Sequence, residues 1–278
     1  MRNRLILVAV CCAPTVAVAA DFGAPPAPYN WTGVYFGVNG GLAWDNAKTN
    51  YSYSSIPAPA PPGFDDVFGL GGPLNVIGDT AVQSAIADGY LPVSLGGSSN
   101  TFGALGAQFG YNYQMQQMVI GFEADVDWAD GVRSTNFVAP PNGIVTNNGY
   151  QSAGLQWLGT ARVRAGYAFD RALIFATGGL AFGGIKAESS ASEFDGANTD
   201  IFAGSASGTK VGYALGGGVE YALAANMSLK AEYLYYDLGK ADYAVAAANA
   251  IAEGEGLFVN ASQRLDGSLV RIGLNVRY

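Results

Sequence analysis

A chain of 278 residues carrying 14 basic and 22 acidic side chains, 39 glycines, two cysteines and no histidine excludes several chemistries at once. Without histidine there is no His-based acid–base catalysis, no Ser-His-Asp triad and no His-ligated metal or haem. The net charge of −8 argues against nucleic acid as a partner.

The opening, MRNRLILVAVCCAPTVAVAA, has a basic start at Arg2 and Arg4, an apolar run from Leu5 to Cys12, and small residues at Ala17 and Ala19. That is the layout of a signal peptide over residues 1–20. Pro14 follows too short a run for a membrane anchor, and Val10 is bulky where a lipoprotein signal before Cys11 or Cys12 wants a small residue. Both cysteines leave with the signal, and so does any disulfide or thiolate chemistry.

Eight alternating segments follow, read as strands because their side chains divide with period two. Thr32 to Trp44 sets Val34, Phe36, Val38, Leu42 and Trp44 against Gly33, Tyr35, Gly37, Asn39 and Gly41. Thr101 to Tyr113 sets Leu105, Phe109, Tyr111 and Tyr113 against Gly106, Gln108, Gly110 and Asn112. Met118 to Asp130 sets Ile120, Phe122, Val126 and Trp128 against Glu123, Asp125 and Asp127. Leu155 to Phe169 sets Trp157, Val163, Tyr167 and Phe169 against Gln156, Thr160, Arg162 and Arg164. Ala172 to Lys186 is apolar on both faces, so its facing stays open. Thr209 to Leu223 sets Val211, Tyr213, Leu215, Val219 and Tyr221 against Lys210, Gly212, Gly216, Gly218 and Glu220. Met227 to Tyr235 sets Leu229, Ala231, Tyr233 and Tyr235 against Lys230 and Glu232. Gly267 to Tyr278 sets Val270, Ile272, Leu274, Val276 and Tyr278 against Arg271, Gly273, Asn275 and Arg277.

Short connections fall near Met115–Gln117, Asp170–Arg171 and Ala224–Asn226; long ones span about 45–100, 130–154, 187–208 and 238–262. Most segments have the length of a tilted membrane-crossing strand, and short turns at one end with long loops at the other mark an outer-membrane barrel. The expected fold is therefore all-β, an eight-stranded antiparallel transmembrane β-barrel over 31–278, with 21–30 as a periplasmic lead-in. A soluble lipocalin-like barrel is the competing arrangement.

Three patterns turn the apolar face outward. Charges on the polar faces nearly cancel: Glu123, Asp125, Asp127, Glu220 and Glu232 against Arg162, Arg164, Lys210, Lys230, Arg271 and Arg277. A lumen needs such pairing and a solvated surface does not. Arg162 and Arg164 are the expected partners of the three acids on the neighbouring strand. A three-residue turn pairing Leu223 with Met227 would set Glu220 opposite Lys230. Trp44, Trp128 and Trp157 end the apolar faces on the long-loop side, and Tyr111, Tyr113, Tyr167, Phe169, Tyr221 and Tyr278 on the other, as two aromatic girdles would. Glycines on the polar faces leave room for long side chains in a bore that eight strands make narrow.

The segments WTGVYFGVNGG (31–41), QFGYNYQ (108–114), VIGFEADVDWAD (119–130), GTARVRAGYAF (159–169) and VRIGLNVRY (270–278) together resemble small alphaproteobacterial outer-membrane β-barrel surface proteins, relatives of the OmpA transmembrane domain and of opacity-type porins. The resemblance implies an outer-membrane location among lipid and lipopolysaccharide. It also implies insertion by the barrel-assembly machinery, whose terminal-strand signal is matched by Ile272, Leu274, Val276 and Tyr278. OmpA continues into a peptidoglycan-binding domain and this chain stops at its last strand, so anchoring to the wall by that route is not implied.

The four loops hold 13 acids, including Asp65, Asp66, Asp79 and Asp88, against Lys48, Arg133 and Lys240, an excess able to hold divalent cations. No cofactor and no dedicated metal site are expected. A Pro-rich run, SSIPAPAPPGF (54–64), disfavours regular structure in the first loop, and Val76 to Tyr90 is a candidate short helix or plug. GGLAFGGIK (178–186) lacks the lysine of a phosphate loop, since Ile185 stands in its place. The expected function is a non-enzymatic structural outer-membrane protein that supports the envelope and displays its loops as a surface antigen. The alternatives are a narrow porin, with the lumen charges as a constriction, or a receptor such as one for haem, ligated through Tyr51 or Tyr53.

Overall fold

A computed structural model describes residues 29–55, 94–138, 146–194, 199–247 and 257–278. The signal peptide, residues 21–28 of the lead-in, the Val76–Tyr90 segment and most of the loop acids lie outside the described residues. The strands are β1 (Gly33–Ser55), β2 (Ser94–Met115), β3 (Met118–Ala129), β4 (Arg133–Val138), β5 (Thr146–Phe169), β6 (Ala172–Phe194), β7 (Thr199–Ala224), β8 (Met227–Ala247) and β9 (Leu257–Arg277). Each pairs antiparallel with its neighbours in the order β3-β2-β1-β9-β8-β7-β6-β5-β4. A further β3–β5 ladder, from Met118↔Tyr167 to Trp128↔Trp157, closes the ring. Because β3 and β4 both pair with β5, they are successive pieces of one stave. The barrel thus has eight staves.

The two-residue turns at Gln116 and Asp170 use positive φ, 55° and 51°, the backbone sense that matches the twist of a tight hairpin. The third turn corrects the expected one. Ala224, not Leu223, pairs with Met227, and a bulge between Ala222 and Ala224 restores Glu220 opposite Lys230. One extra residue in the bulge offsets one fewer in the turn.

The apolar faces point out. Phe122, Leu229 and Ile272 are 47%, 43% and 59% exposed, whereas Glu123 and Arg162 are 2% and 3%. A sheet surface this apolar is stable only against hydrocarbon.

The staves are much longer than the alternation predicts: β6 has 23 residues, β7 26 and β5 24, where about 9–11 cross a bilayer. Much of what reads as loop at 187–208 and 130–154 is strand, as are the flanks of 45–100 and 238–262. The physical reason is an inversion of pattern. Beyond the membrane Ala187 and Ser189 point inward and Glu188 and Ser190 outward, the arrangement of a soluble barrel, which a lipid-facing template cannot detect.

A second correction lies at β5. A bulge between Leu155 and Trp157 turns Leu155 inward, 3% exposed, and leaves Gln156 on the outside instead of on the lumen face. The facing of β6, open from sequence, is settled: Leu173, Phe175, Thr177 and Ala181 are buried while Ile174 and Leu180 are 54% exposed. Both faces are apolar because its inward residues belong to plugs.

The interior is layered. At the short-turn end Tyr29, Trp31, Val119, Ala168, Leu173, Phe175 and Ala222 form an apolar cluster. Above the charged level, Leu155, Leu158, Leu234, Tyr236 and Leu238 belong to a second, and Phe202, Tyr243, Val245 and Val259 to a third.

Candidate functional site

The middle of the lumen is a network of charges supplied by five staves. Glu123, Asp125 and Asp127 alternate along β3, Arg162 and Arg164 along β5, Lys230 and Glu232 along β8; Glu220 and Arg271 come from β7 and β9. Period-two alternation aims all of them at the axis.

Arg162 binds three carboxylates from two other staves at once: Nη2 donates to Glu123 Oε1 and Asp125 Oδ2, both at 2.7 Å, and Nη1 to Glu232 Oε1 at 2.7 Å. Its Nε donates to Thr160 Oγ1 at 2.8 Å, and that hydroxyl donates to Asp125 Oδ2 at 2.7 Å. Arg271 spans the bore from the other side, with Nη1 on Asp127 Oδ2 at 2.7 Å, Nη2 on Asp125 Oδ2 at 3.0 Å and Nε on Glu232 Oε2 at 2.8 Å. Lys230 Nζ donates to both oxygens of Glu123 at 2.8 and 2.9 Å. Arg164 donates to Glu220 at 2.8 Å and to the Tyr35 hydroxyl at 3.0 Å, and Tyr35 donates to Glu123 at 2.7 Å. Glu123, Asp125, Glu220 and Glu232 each meet a cation with further hydrogen bonds, the condition under which buried charge is tolerated, whereas Asp127 is held by Arg271 through Oδ2 alone and its Oδ1 is buried without a hydrogen-bond partner.

Nine of the eleven residues read as a lumen network therefore come together. Two do not. Lys210 is half-buried opposite Gly183 and joins none of the ion pairs found among the described residues. Arg277 lies instead at the short-turn mouth, its guanidinium 4.1 Å from the centre of the Tyr29 ring and 5.6 Å from that of Trp31, a cation–π arrangement. The expected pairing of Arg162 and Arg164 with the β3 acids holds for Glu123 and Asp125. Asp127 is bound by Arg271. Glu220 and Lys230 are cross-strand neighbours, but each takes its ion-pair partner elsewhere, Arg164 and Glu123.

Sequence reading missed the polar residues that complete the network. Ser228 and Asn275 both bond Glu220, at 2.6 and 2.8 Å, and Gln108 bonds Asn275. Their place on the charged faces was the available signal. The role of Tyr29 and Trp31 was missed: 9% and 1% exposed, they cap the mouth, where the sequence reading places Tyr29 in a periplasmic lead-in and Trp31 only at the start of the barrel.

Glycines make the room. A Cβ at Gly106 would overlap Asp127, and one at Gly110 would overlap the Tyr35 ring.

The aromatic residues sit at the rims. Trp128 is 74% exposed and in register with the half-exposed Trp157, and Trp44 lies 6.2 Å from Tyr233. At the other rim Tyr113, Tyr167, Phe169 and Tyr221 are 44–55% exposed, with Tyr111 half-buried beside Phe122. The terminal strand keeps its alternation to the end: Ile272 and Leu274 face out, Val276 is half-buried, and the Tyr278 backbone N–H is bonded to Val34 O at 2.9 Å. Tyr51 is no loop residue; its hydroxyl lies 2.9 Å from Ser189 Oγ inside the protruding barrel, and the Tyr53 side chain lies outside the described residues.

Comparison with known proteins extends this picture. A family model described as outer membrane protein beta-barrel domain matches residues 5–277. The 31 kDa outer-membrane immunogenic protein of Brucella melitensis biotype 1 is 30% identical over 290 residues, covering all of both chains. The 22 kDa outer membrane protein of Rhizobium leguminosarum bv. viciae is 30% identical over 185 residues, 66% of this chain and 70% of that one. Among solved structures, the outer membrane protein OprG from Pseudomonas aeruginosa aligns with a TM-score of 0.43 at 12% identity, over 90% of this chain and 98% of that one.

Proposed function

This chain belongs to the outer-membrane β-barrel protein family, and from that premise we propose that it is a sealed, non-enzymatic structural barrel, supporting the envelope and displaying its outer end as a surface antigen. The observation that carries the reading is the cross-section at Arg162 and Arg271, whose side chains are 0% exposed and bound to carboxylates from opposite walls. Apolar layers lie on both sides of it. An ion entering from either end would first shed its water among leucine, phenylalanine and tryptophan side chains, and then displace paired charges at a cost of several kcal/mol. A void in the outer half, lined by Tyr236, Leu238, Gln263 and Leu265, measures about 10 Å³, room for one water. Assembly in this reading follows the terminal Ile272, Leu274, Val276 and Tyr278 pattern, read by the barrel-assembly machinery.

Planar-bilayer recording tests it. The wild-type protein is expected to give no stable conductance steps, while replacing both Arg162 and Arg271 with serine opens a measurable current. A steady open-channel current from the wild type would favour the narrow porin instead.

A further inference from the structure

We propose that the outward face of the protruding wall, centred on Tyr150, binds the neutral sugars of the lipopolysaccharide that surrounds the barrel. The face is built in register. One row across β4–β7 reads Val138, Asn148, Ser192, Ile201, and the next reads Asn136, Tyr150, Ser190, Ala203. In the adjacent row on the membrane side, of opposite parity, Gln151 and Ser189 are buried toward the lumen, so these rows point away from the axis. All of them but Ala203 line a shallow, open recess of about 370 Å³.

Three features select a neutral saccharide. First, neither row carries a charge, on a protein whose acids outnumber its bases 22 to 14. A face polar only for solubility would use those charges. Lys186 and Glu188, at the membrane side of the recess, neutralise each other at 2.9 Å. Second, the Tyr150 ring, 39% exposed, offers an aromatic surface to the C–H face of a sugar, and its hydroxyl is fixed by Ser134 Oγ at 3.1 Å. Third, the exposed Asn136 and Asn148 amides each supply donors and an acceptor, matching vicinal hydroxyls, with Ser190 and Ser192 on the opposite side.

Position selects the source. Tyr150 is seven residues beyond Trp157 on β5, roughly 18 Å above the aromatic rim for a strand rising about 3.3 Å per residue and tilted about 40°. A recess there opens sideways, parallel to the membrane, so its neighbour is the saccharide layer of the outer leaflet. The inference stands on the outer-membrane location and this face; it holds whether or not the lumen conducts.

The test uses the full mature protein in nanodiscs and lipid-free core oligosaccharide released from lipopolysaccharide by mild acid, followed by calorimetry. Wild type is expected to bind saturably. Tyr150→Ala should weaken binding about tenfold, the scale of one lost aromatic contact, and Tyr150→Phe should bind nearly as wild type. Asn148→Asp places a charge in the recess without changing its shape and should give a similar loss. Heat-modifiable gel mobility identifies variants that have kept the barrel. The proposal is overturned if wild type shows no saturable binding, or if folded Tyr150→Ala and Asn148→Asp bind as wild type. It is overturned equally if lipid A stripped of the core sugars competes as well as whole lipopolysaccharide, or if an unrelated neutral glycan binds as tightly as the core.

Discussion

Arg271 on β9 reaches Asp127 on β3 across the bore, Nη1 to Oδ2 at 2.7 Å, and neither side chain is more than 1% exposed. Its other contacts, to Asp125 and Glu232 at 3.0 and 2.7 Å, are shared with Arg162, but among the described residues Asp127 has no other ion-pair partner. Arg271→Met should therefore lower stability by about 3–5 kcal/mol, the cost of orphaning buried charge. Arg264→Met is the control: its bonds to Asp237 and Asp266 are equally short at 2.8 Å, but its side chain is 54% exposed. It should cost about 0–1 kcal/mol. Urea unfolding of the two variants in the same detergent measures the contrast, and equal losses would contradict the buried network.

The sequence announces this network because charge and period two coincide: Glu123, Asp125 and Asp127 can share a face only if the chain is extended, and balancing arginines can meet them only in an enclosed bore. What it hides is whatever breaks the period or inverts it. The bulge at Leu155–Trp157 reverses facing without changing composition. In β6 the inward Leu173 and Phe175 are as apolar as the outward Ile174 and Leu180, so no contrast exists to read. Above the membrane the lipid contrast vanishes, and strands such as Ala187 to Phe194 pass for loop. Lys210 and Arg277 have the right parity but the wrong height, and strand pairing alone does not give height along the axis.

Trp31 is 1% exposed, and its ring lies 4.7 Å from that of Tyr29, with Arg277 stacked on both. Trp31→Ala should cost about 3–5 kcal/mol as a large buried aromatic and should open the short-turn mouth. The two native cysteines are Cys11 and Cys12, so once both are changed to serine a cysteine at Ala222 is a unique reporter. Ala222 is 0% exposed in the same cluster. Maleimide should label it slowly in the otherwise unchanged protein and rapidly once Trp31 is alanine. Fast labelling in both would show that Tyr29 and Trp31 do not close the mouth.

Gly110 on β2 leaves no space for a side chain, since a Cβ there would overlap the Tyr35 hydroxyl and lie 2.6 Å from the Phe122 carbonyl. Tyr35 holds Glu123 and Arg164 together. Gly110→Val should displace the phenol and destabilise by about 1–3 kcal/mol through overpacking, whereas Gly103→Val, with nothing within 4 Å of the added atom, should be nearly silent. Thermal melts followed by heat-modifiable gel mobility distinguish them, and matched melting temperatures would show that this clearance is not needed.

Tyr51 sits in the protruding half, its hydroxyl 2.9 Å from Ser189 Oγ, which in turn lies 2.7 Å from the Tyr243 hydroxyl. Burial pushes the Tyr51 phenol up to about 12 from its ordinary 10.0, against the lowering effect of the Ser189 hydrogen bond, and burial raises Tyr243 as well. A raised folded-state value means the native barrel prefers the neutral phenol, so the stabilisation is complete below the unfolded value and disappears as pH rises through the folded one. The outer third of the barrel should hold to about pH 10 and loosen between roughly pH 10 and 12, ahead of the membrane-embedded part, whose closure does not use these phenols. Tyrosinate absorbance read alongside amide exchange at Ala187 and Val245 follows both events in one titration. Tyr51→Phe removes the ionisable group while keeping the ring, and it should shift the loosening toward higher pH; an unchanged transition in that variant would assign the alkaline weakness to other groups.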